Sequence, residues 1–180
     1  AALEGGARPV VGTTGWTTDD LTEAHRACQD AGLGAVIAPN FAIGAVLMMR
    51  FAAIAARHMP SVEIIELHHD AKLDAPSGTA AKTAALIQQA RDEAGVGPSQ
   101  PEGAPDFPAR GLDEQGVRIH SVRLPGLLAH QETIFGGLGQ TLSIRHDTIS
   151  RESFMPGVLL ACRKVMGLDG LVYGLDPLLD

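Results

Sequence analysis

The stretch from residue 66 to residue 80 holds the side chains best suited to chemistry. His68 and His69 can exchange protons near neutral pH, and Lys72 adds a positive charge four residues after the first histidine. The segment Pro-Ser-Gly-Thr at 76–79 opens a predicted helix, whose unpaired N–H groups and positive dipole end suit an anion. Because the dipole supplies only about 0.3–1 kcal/mol, a firm grip on a carboxylate also needs the neighbouring lysine. The stretch therefore predicts proton exchange on a small, negatively charged substrate.

The flanking segments must position these side chains. Ser61–Leu67 is rich in β-branched and apolar residues and predicts a strand, whereas Ala80–Ala94 is built of strong helix formers and predicts a helix. Such a strand-to-helix connection is where functional residues tend to lie on a rigid scaffold. In an extended strand His68 and His69 point to opposite faces. Both side chains can face one ligand only if the chain bends at the strand end. Otherwise one histidine has a chemical role and the other a structural role.

Each part of this stretch also has a simpler explanation. A pair of histidines is more often a packed, hydrogen-bonded feature, and Pro-Ser-Gly-Thr is more often an ordinary helix cap. Metal-assisted hydrolysis, with His68, His69 and Asp70 as ligands, is an alternative enzyme class. Adjacent histidines on opposite strand faces give poor coordination geometry, so no metal site is predicted. The combination of all these residues in one segment favours the acid–base interpretation.

The first forty residues predict a βαβ unit. A short apolar strand leads into the turn Gly12–Gly15, a helix begins after Thr17 or Thr18 and ends at Gly32, and residues 35–38 form the next strand. Two strands connected in this way should be parallel. Ligands of such sheets bind at the carboxyl ends of the strands, which here are the Gly12 turn and the Pro39–Phe41 segment.

The rest of the chain predicts a second sheet with its own helices. A buried helix, capped by Asn40, should run from Phe41 to about His58. Three strands are predicted at 117–124, 129–135 and 140–146, and with 61–67 they make four strands of an open sheet covered by helices on one face. The Pro- and Gly-rich region 95–116 predicts an irregular connection. A helix should begin near Ser153 and continue to Val165, and a last strand is predicted at 171–173.

Composition limits the partners of this protein. With 180 residues, of which 45% are hydrophobic, the chain can build one sizeable core or two small lobes. A net charge of −7 argues against nucleic acid or an acidic membrane surface as partner, and no apolar run is long enough to span a bilayer. Two cysteines make no disulfide framework, which favours a reduced, cytoplasmic setting. The chain does not begin with Met, and its first residues are typical of the end of a helix, so we expect it to be a fragment that lacks its N-terminal portion.

The stretch 66–80 resembles the signature of the dihydrodipicolinate reductase family of bacterial and plant lysine biosynthesis. The likeness spans nearly the whole chain in order, through VVGTTG at 10–15, APNFAIG at 38–44, HSVRLPG at 120–126, HQETIFG at 130–136, LSIRH at 142–146 and GLDPLLD at 174–180. It implies an α/β protein with a partial Rossmann-like lobe of parallel strands, at 1–40 and 152–180. It also implies an α+β domain with an open mixed sheet, at 41–151, for substrate binding and oligomerisation.

The resemblance further implies a reaction and a set of site residues. Enzymes of this family reduce a cyclic, imine-type dicarboxylate with hydride from NADPH or NADH, after its hydroxyl is lost as water, and are similar in forming homotetramers through such a sheet. The implied catalytic residues are His68, as proton donor and acceptor, and Lys72, as proton donor. The implied substrate contacts are His69, Ser77, Gly78 and Thr79. The implied cofactor contacts are Gly12, Thr13, Thr14, Ala38, Pro39, Asn40 and Phe41.

Two features depart from the family pattern. Members often have another histidine just before the lysine, where this chain has Ala71 preceded by Asp70, whose charge would weaken carboxylate binding modestly. The family's Gly-rich pyrophosphate loop lies upstream of the first residue, so we expect this chain alone to bind NADH or NADPH poorly, as calorimetric titration would measure. An inactive remnant that keeps an anion site and an assembly sheet is therefore the alternative to a reductase.

Overall fold

The computed structural model describes residues 1–97 and 107–180. Its helices are α1 (Thr18–Ala31), α2 (Ile43–Ala56), α3 (Gly78–Ala94) and α4 (Met155–Lys164). Its strands are β1 (Val10–Val11), β2 (Ala35–Ile37), β3 (Ser61–His68), β4 (Leu112–Glu114), β5 (Val117–Arg123), β6 (Ala129–Gly137), β7 (Gln140–Thr148) and β8 (Leu171–Tyr173). The protein is thus of the predicted α/β class, and each predicted helix and strand is present with small shifts at its ends.

The chain divides into two compact units. The first comprises Ala1–Val46 and Arg151–Asp180, and the second comprises Leu47–Ser150. The first boundary falls inside α2, so the first unit also contains residues 41–46, which the sequence-based division placed in the second. The functions assigned to the two units from sequence stay predictions.

The first unit is built on three parallel strands in the order β1-β2-β8. The helix between β1 and β2 begins with a capping box, in which Thr17 and Asp20 bind each other's backbone N–H groups. It ends at Gly32, whose φ of 63° is a left-handed conformation that glycine adopts without strain. The parallel βαβ unit is therefore confirmed, and the last strand returns to this sheet as the resemblance implied.

The second unit is built on a mixed sheet of five strands in the order β4-β5-β3-β6-β7. Strand β3 lies at its centre, parallel to β5 and antiparallel to β6. Four of these strands were predicted, whereas β4 falls in the region predicted to be an irregular connection. It forms because Gln115 and Gly116, with φ of 54° and 75°, make a tight hairpin turn that pairs Leu112 with Ile119. Residues 98–106 of that predicted connection lie outside the described residues.

The core of the second unit lies between one face of this sheet and two helices. Val62 and Ile64 of β3, Ile119 of β5 and Phe135 of β6 are buried against alanines of α2 and α3. Small side chains on the helices let the backbones approach the sheet closely, so aliphatic and alanine packing replaces the aromatic residues that the chain lacks. The opposite face of the sheet carries half-buried side chains and is not covered by either helix.

None of the described helices is both long and apolar enough to cross a lipid bilayer. Cys28 is buried in α1 and Cys162 is exposed on α4, and both are free thiols. Burial raises the pKa of the Cys28 thiol, which disfavours its reactive thiolate form.

Gly157→Ala should destabilise the first unit. A Cβ at this position would lie 2.0 Å from the carbonyl oxygen of Phe41, because α4 packs directly on that backbone. Backbone atoms cannot move aside as a flexible side chain can, so we expect a loss of roughly 1–3 kcal/mol or more in the free energy of unfolding. Gly167→Ala is the matched control, since its Cβ would meet no atom within 4 Å. Urea unfolding followed by circular dichroism measures both, and equal midpoints would contradict the expectation.

Candidate active site

The side chains of the 66–80 stretch gather at the carboxyl end of β3. Along this strand Val62, Ile64, Glu66 and His68 alternate onto the face that α3 covers. The strand ends at His68, and the chain turns at once, with the Lys72 amide donating to the carbonyl of residue 69 at 3.1 Å. A turn therefore follows the two histidines directly, and a shared ligand for both of them stays a prediction.

A buried carboxylate holds this region together. Glu66 has no exposed surface, and its Oε2 lies 2.5 Å from Nδ1 of His68. Arg123 of β5 binds both carboxylate oxygens, at 2.8 and 2.9 Å. The backbone N–H of Ser77, which precedes α3, donates to Oε1 at 3.2 Å. The proton-exchanging histidine and the start of the predicted anion-binding helix therefore bind the two oxygens of the same side chain.

The charge of Glu66 follows from these partners. Burial by itself would raise the pKa of its carboxyl group, but hydrogen bonds with His68, Arg123 and Ser121, together with the Arg123 charge, outweigh burial and lower the pKa to about 2. Glu66 is thus ionised and can only accept hydrogen bonds. The proton between Glu66 and His68 must then belong to Nδ1 of the imidazole. Nε2 is left as the ring atom that can exchange a proton with a ligand.

The start of α3 has a capped side and an open side. Ser77 is buried, and its Oγ accepts from the Ala80 amide at 3.2 Å, so it serves as the helix cap. Gly78 is exposed, and a Cβ added there would meet no atom within 4 Å. Thr79 is half-buried, and its carbonyl oxygen accepts from Thr83 Oγ1 at 2.7 Å. The room for a ligand at this helix end lies over Gly78.

Lys72 is held by a carboxylate that the sequence argument did not consider. Its Nζ lies 2.7 and 2.9 Å from the two oxygens of Asp74. The Lys72 hydrogen bond is the main reason why the pKa of Asp74 is lowered. Arg123 Nη2 donates to the Asp74 carbonyl at 2.7 Å, which fixes the loop that carries Lys72. Asp70, the acidic residue expected to weaken anion binding, is exposed and makes no such contact with Lys72 in the structure.

His69 differs from its neighbour. Its ring is half-buried, and among residues 1–97 and 107–180 it makes no side-chain hydrogen bond or ion pair. An imidazole without an internal partner remains available to a ligand. This arrangement is compatible with the predicted carboxylate contact.

Sequence reasoning gave no role to Glu66, Arg123 or Asp74. The sequence does contain an indication for Glu66, because the alternation of β3 predicts a buried apolar residue at this position. A charged residue at such a position must have a partner. Arg123 could not be found in this way, because its proximity depends on the pairing of β3 with β5, more than fifty residues apart in sequence.

The predicted cofactor contacts lie together in the first unit. Gly12, Thr13 and Thr14 follow β1, and Ala38 to Phe41 follow β2, so both segments lie at carboxyl ends of adjacent parallel strands. A Cβ at Gly12 would lie 3.2 Å from the ring of Phe41, which is buried beside it. Asn40 Oδ1 accepts from the Ala42 amide at 2.9 Å, which turns the chain just before α2. Because α2 begins at Ile43 and not at Phe41, this bond is not the predicted cap on the first turn of the helix.

A metal centre at His68, His69 and Asp70 was the alternative interpretation of this segment. Within the part of the chain that the structure describes, no group of three or more His, Cys, Asp or Glu side chains is placed to hold a metal ion. His68 instead directs one ring nitrogen to Glu66. This region thus contains an imidazole bound to a carboxylate, a lysine and an exposed helix start. Acid–base chemistry on an anion stays a prediction.

Comparison with known proteins identifies the family. The family model described as "Dihydrodipicolinate reductase, C-terminus" matches residues 44–179. The chain is 59% identical over 184 residues to the 4-hydroxy-tetrahydrodipicolinate reductase of Halalkalibacterium halodurans, and 57% identical over 180 residues to that of Bacillus subtilis. In both cases the match covers 99% of this chain and 67% of the relative. A solved structure, "Dipicolinate bound Dihydrodipicolinate reductase from Paenisporosarcina sp. TG-14", is 49% identical with a TM-score of 0.86, covering 98% of this chain and 66% of that one.

The fold and the relatives are those of an α/β oxidoreductase. The chain belongs to the dihydrodipicolinate reductase family, as its resemblance to that family implied. It spans about two thirds of the length of the relatives that it matches.

The stability of the second unit should depend on pH through Glu66. Its pKa in the folded chain lies below its ordinary value of 4.5, so its stabilising effect is complete above that pH and is lost as the pH falls towards 2. Wild type should therefore lose on the order of 3 kcal/mol more than Glu66→Gln between about pH 5 and pH 2. Urea unfolding at a series of pH values measures this difference. Glu93→Gln, which breaks an exposed ion pair with Arg57, should follow wild type; parallel curves for all three proteins would contradict the expectation.

Proposed function

We propose that this chain supplies the acid–base and substrate-binding groups for the reduction of 4-hydroxy-tetrahydrodipicolinate to tetrahydrodipicolinate in lysine and diaminopimelate biosynthesis. The observation that carries the proposal is the pairing of His68 and the start of α3 on one carboxylate, Glu66. This pairing keeps a proton-exchanging atom close to a helix end that favours anions. The relative of known structure whose title names bound dipicolinate supports a small aromatic dicarboxylate as ligand.

Each site residue has a separate role in the proposed reaction. One carboxylate of the substrate binds at the open helix end formed by Gly78 and Thr79, with Ser77 as the cap that positions it, and His69 contacts a carboxylate. Lys72 and Nε2 of His68 exchange protons with the ring. Hydride addition to a C=C bond conjugated with C=N places negative charge on nitrogen, and one proton must reach that atom. A positioned acid contributes about 10²- to 10⁴-fold to such a step.

Lys72 remains available for this role despite its ion pair. Asp74 is largely exposed, with 62% of its side-chain surface open to solvent, and exposed ion pairs contribute only about 0–1 kcal/mol. A substrate carboxylate can therefore compete with Asp74 for the ammonium group. Asp74 in turn holds the Nζ atom of Lys72 in place before substrate arrives.

NADPH or NADH supplies the hydride when bound. Residues Gly12, Thr13, Thr14, Ala38, Pro39, Asn40 and Phe41 would provide part of its contacts. These residues fit such a ligand in that the Gly12 turn is exposed at the ends of parallel strands, with the aromatic side chains of Phe41 and Trp16 beside it. The exposed backbone of Gly12 and Thr13 allows a flat ring to approach closely.

We further propose that the protein acts in the cytoplasm as a homotetramer, without nucleic acid or membrane partners. The sheet face opposite α3 supports the assembly, since Ile65, Val122 and Ile134 lie there half-buried among ion pairs such as His130–Asp147. A second copy of this face would cover these apolar side chains. The net charge of −7 is unfavourable for contact with phosphate backbones or acidic lipids.

Gly78→Ala should weaken binding of dipicolinate without affecting the fold. The new Cβ would meet no protein atom, so it would occupy only the space proposed for the ligand. We expect the dissociation constant for dipicolinate, measured by calorimetry, to rise about tenfold or more, or about 1.4 kcal/mol. Gln89→Ala, exposed near the other end of α3, is the control and should bind as wild type does. Unchanged affinity in Gly78→Ala would place the ligand elsewhere.

His68→Ala and Lys72→Ala should each lower kcat by about 10²-fold or more, far more than either changes the fraction of folded protein. Lys72→Ala should leave the thermal unfolding midpoint nearly unchanged, whereas His68→Ala, which removes a partner of buried Glu66, should lower it. The assay follows oxidation of NADPH or NADH with 4-hydroxy-tetrahydrodipicolinate as substrate. Near-normal turnover in either variant would refute its assigned role. A wild-type chain that binds dipicolinate but shows no turnover with either cofactor would favour the inactive alternative.

A further inference from the structure

Glu66 and its partners do more than satisfy a buried charge. The carboxylate contacts three separate segments: the end of β3 through His68, the entrance of α3 through Ser77, and β5 through Arg123. Arg123 extends the contact to a fourth, the Lys72–Asp74 loop. The residues proposed to contact the substrate in the second unit are therefore all connected to Glu66. His68 binds its carboxylate directly, and the others lie in segments that bind the carboxylate either directly or through Arg123.

The ionised state of Glu66 has a specific effect on His68. A carboxylate accepts hydrogen bonds but cannot donate one, so the contact of 2.5 Å from Oε2 to His68 Nδ1 requires the proton on Nδ1. The imidazole is then held in one tautomer and one orientation, with the Nε2 lone pair directed away from Glu66. Arg123 keeps Glu66 ionised by binding both of its oxygens.

We propose that Glu66 is a positioning residue for the proton transfer: its carboxylate selects the Nδ1–H tautomer of His68 and, through Ser77, fixes that imidazole relative to the anion-binding end of α3. The inference rests on the proposed function. Nε2 of His68 receives a proton from solvent and delivers it to the substrate ring, while the Nδ1 proton stays between the imidazole and Glu66 throughout. Glu66 itself touches neither substrate nor cofactor.

The chain contains a natural control on the same strand. Glu63 of β3 also binds a histidine, with Oε2 2.7 Å from His120 Nε2, and an arginine, Arg110. This second Glu–His–Arg cluster points to the opposite face of the sheet, and its carboxylate is 35% exposed. Glu63→Gln therefore makes the same chemical change in the same strand without altering the proposed site.

The test is the tautomer of His68 in the 180-residue chain, read from the chemical shifts of its two imidazole nitrogens after labelling with ¹⁵N-histidine. The signals are assigned from their loss in His68→Ala. We expect protonated Nδ1 and unprotonated Nε2 near pH 8 in wild type and in Glu63→Gln. In Glu66→Gln, whose amide can also donate, the Nε2–H form should become the major one or a substantial fraction.

The second arm of the test is turnover with NADPH or NADH. Glu66→Gln should lower kcat by about tenfold or more, Glu66→Asp should recover part of the wild-type tautomer and rate, and Glu63→Gln should match wild type. If Glu66→Gln does not fold, the wild-type spectrum alone still tests the inference. A His68 that carries its proton on Nε2 in wild type would overturn it.

The outcomes separate this inference from the proposed function. If Glu66→Gln binds dipicolinate and its His68 has the same tautomer as in wild type, the inference is overturned and the proposed function stands. Failure of the wild-type chain to bind dipicolinate by calorimetry would overturn both. A changed tautomer together with a lower kcat supports the inference, because a purely structural loss would lower the folded fraction without changing which nitrogen carries the proton.

Discussion

A single buried carboxylate constrains the second unit. An ionised glutamate without solvent is costly by several kcal/mol unless its oxygens are fully bound, and Glu66 meets that requirement with a bidentate arginine, an imidazole and a backbone amide. Each of these partners comes from a different segment of the chain. Satisfying the charge therefore brings the segments of the site together, and the site cannot be rearranged without leaving that charge unpaired.

The two Glu–His pairs of β3 show how environment sets function. Glu63 and Glu66 lie on opposite faces of one strand, and each contacts a histidine and an arginine. Only Glu66 is buried, and only it is also bound to the start of a helix. Residue types alone would not distinguish the two clusters, whereas burial and the neighbouring helix end make the Glu66 cluster suitable for the orienting role proposed for it.

The loop after β3 is arranged differently from its strand. Lys72 and Asp74 form an exposed ion pair that contributes little to stability, while the Asp74 carbonyl is tied to Arg123. The backbone of the loop is thus held in place, whereas the Lys72 side chain can exchange Asp74 for another anionic partner. This combination is compatible with the proposed role of Lys72, which is to bind a ligand and donate a proton to it.

Much of the fold was determined by the sequence itself, because alternation, capping residues and glycines act locally. The helix start after Thr17 or Thr18, the helix end at Gly32, the strand at 61–67 and the helix that follows the Pro-Ser-Gly-Thr segment could all be predicted. The hairpin at Gln115–Gly116 was missed, since glutamine seldom adopts a positive φ and its turn forms only when β4 pairs with β5.

The residues of the site were likewise found in part. Spacing placed His68, His69, Lys72 and the helix end in one short segment, so their proximity needed no tertiary information. Arg123, in contrast, reaches Glu66 only because β3 and β5 pair in a register that sets His68 beside Arg123. The types of group available for chemistry were thus determined by a local segment, whereas the charge of Glu66 and its contacts with His68 and the start of α3 depend on a strand pairing that no local pattern specifies.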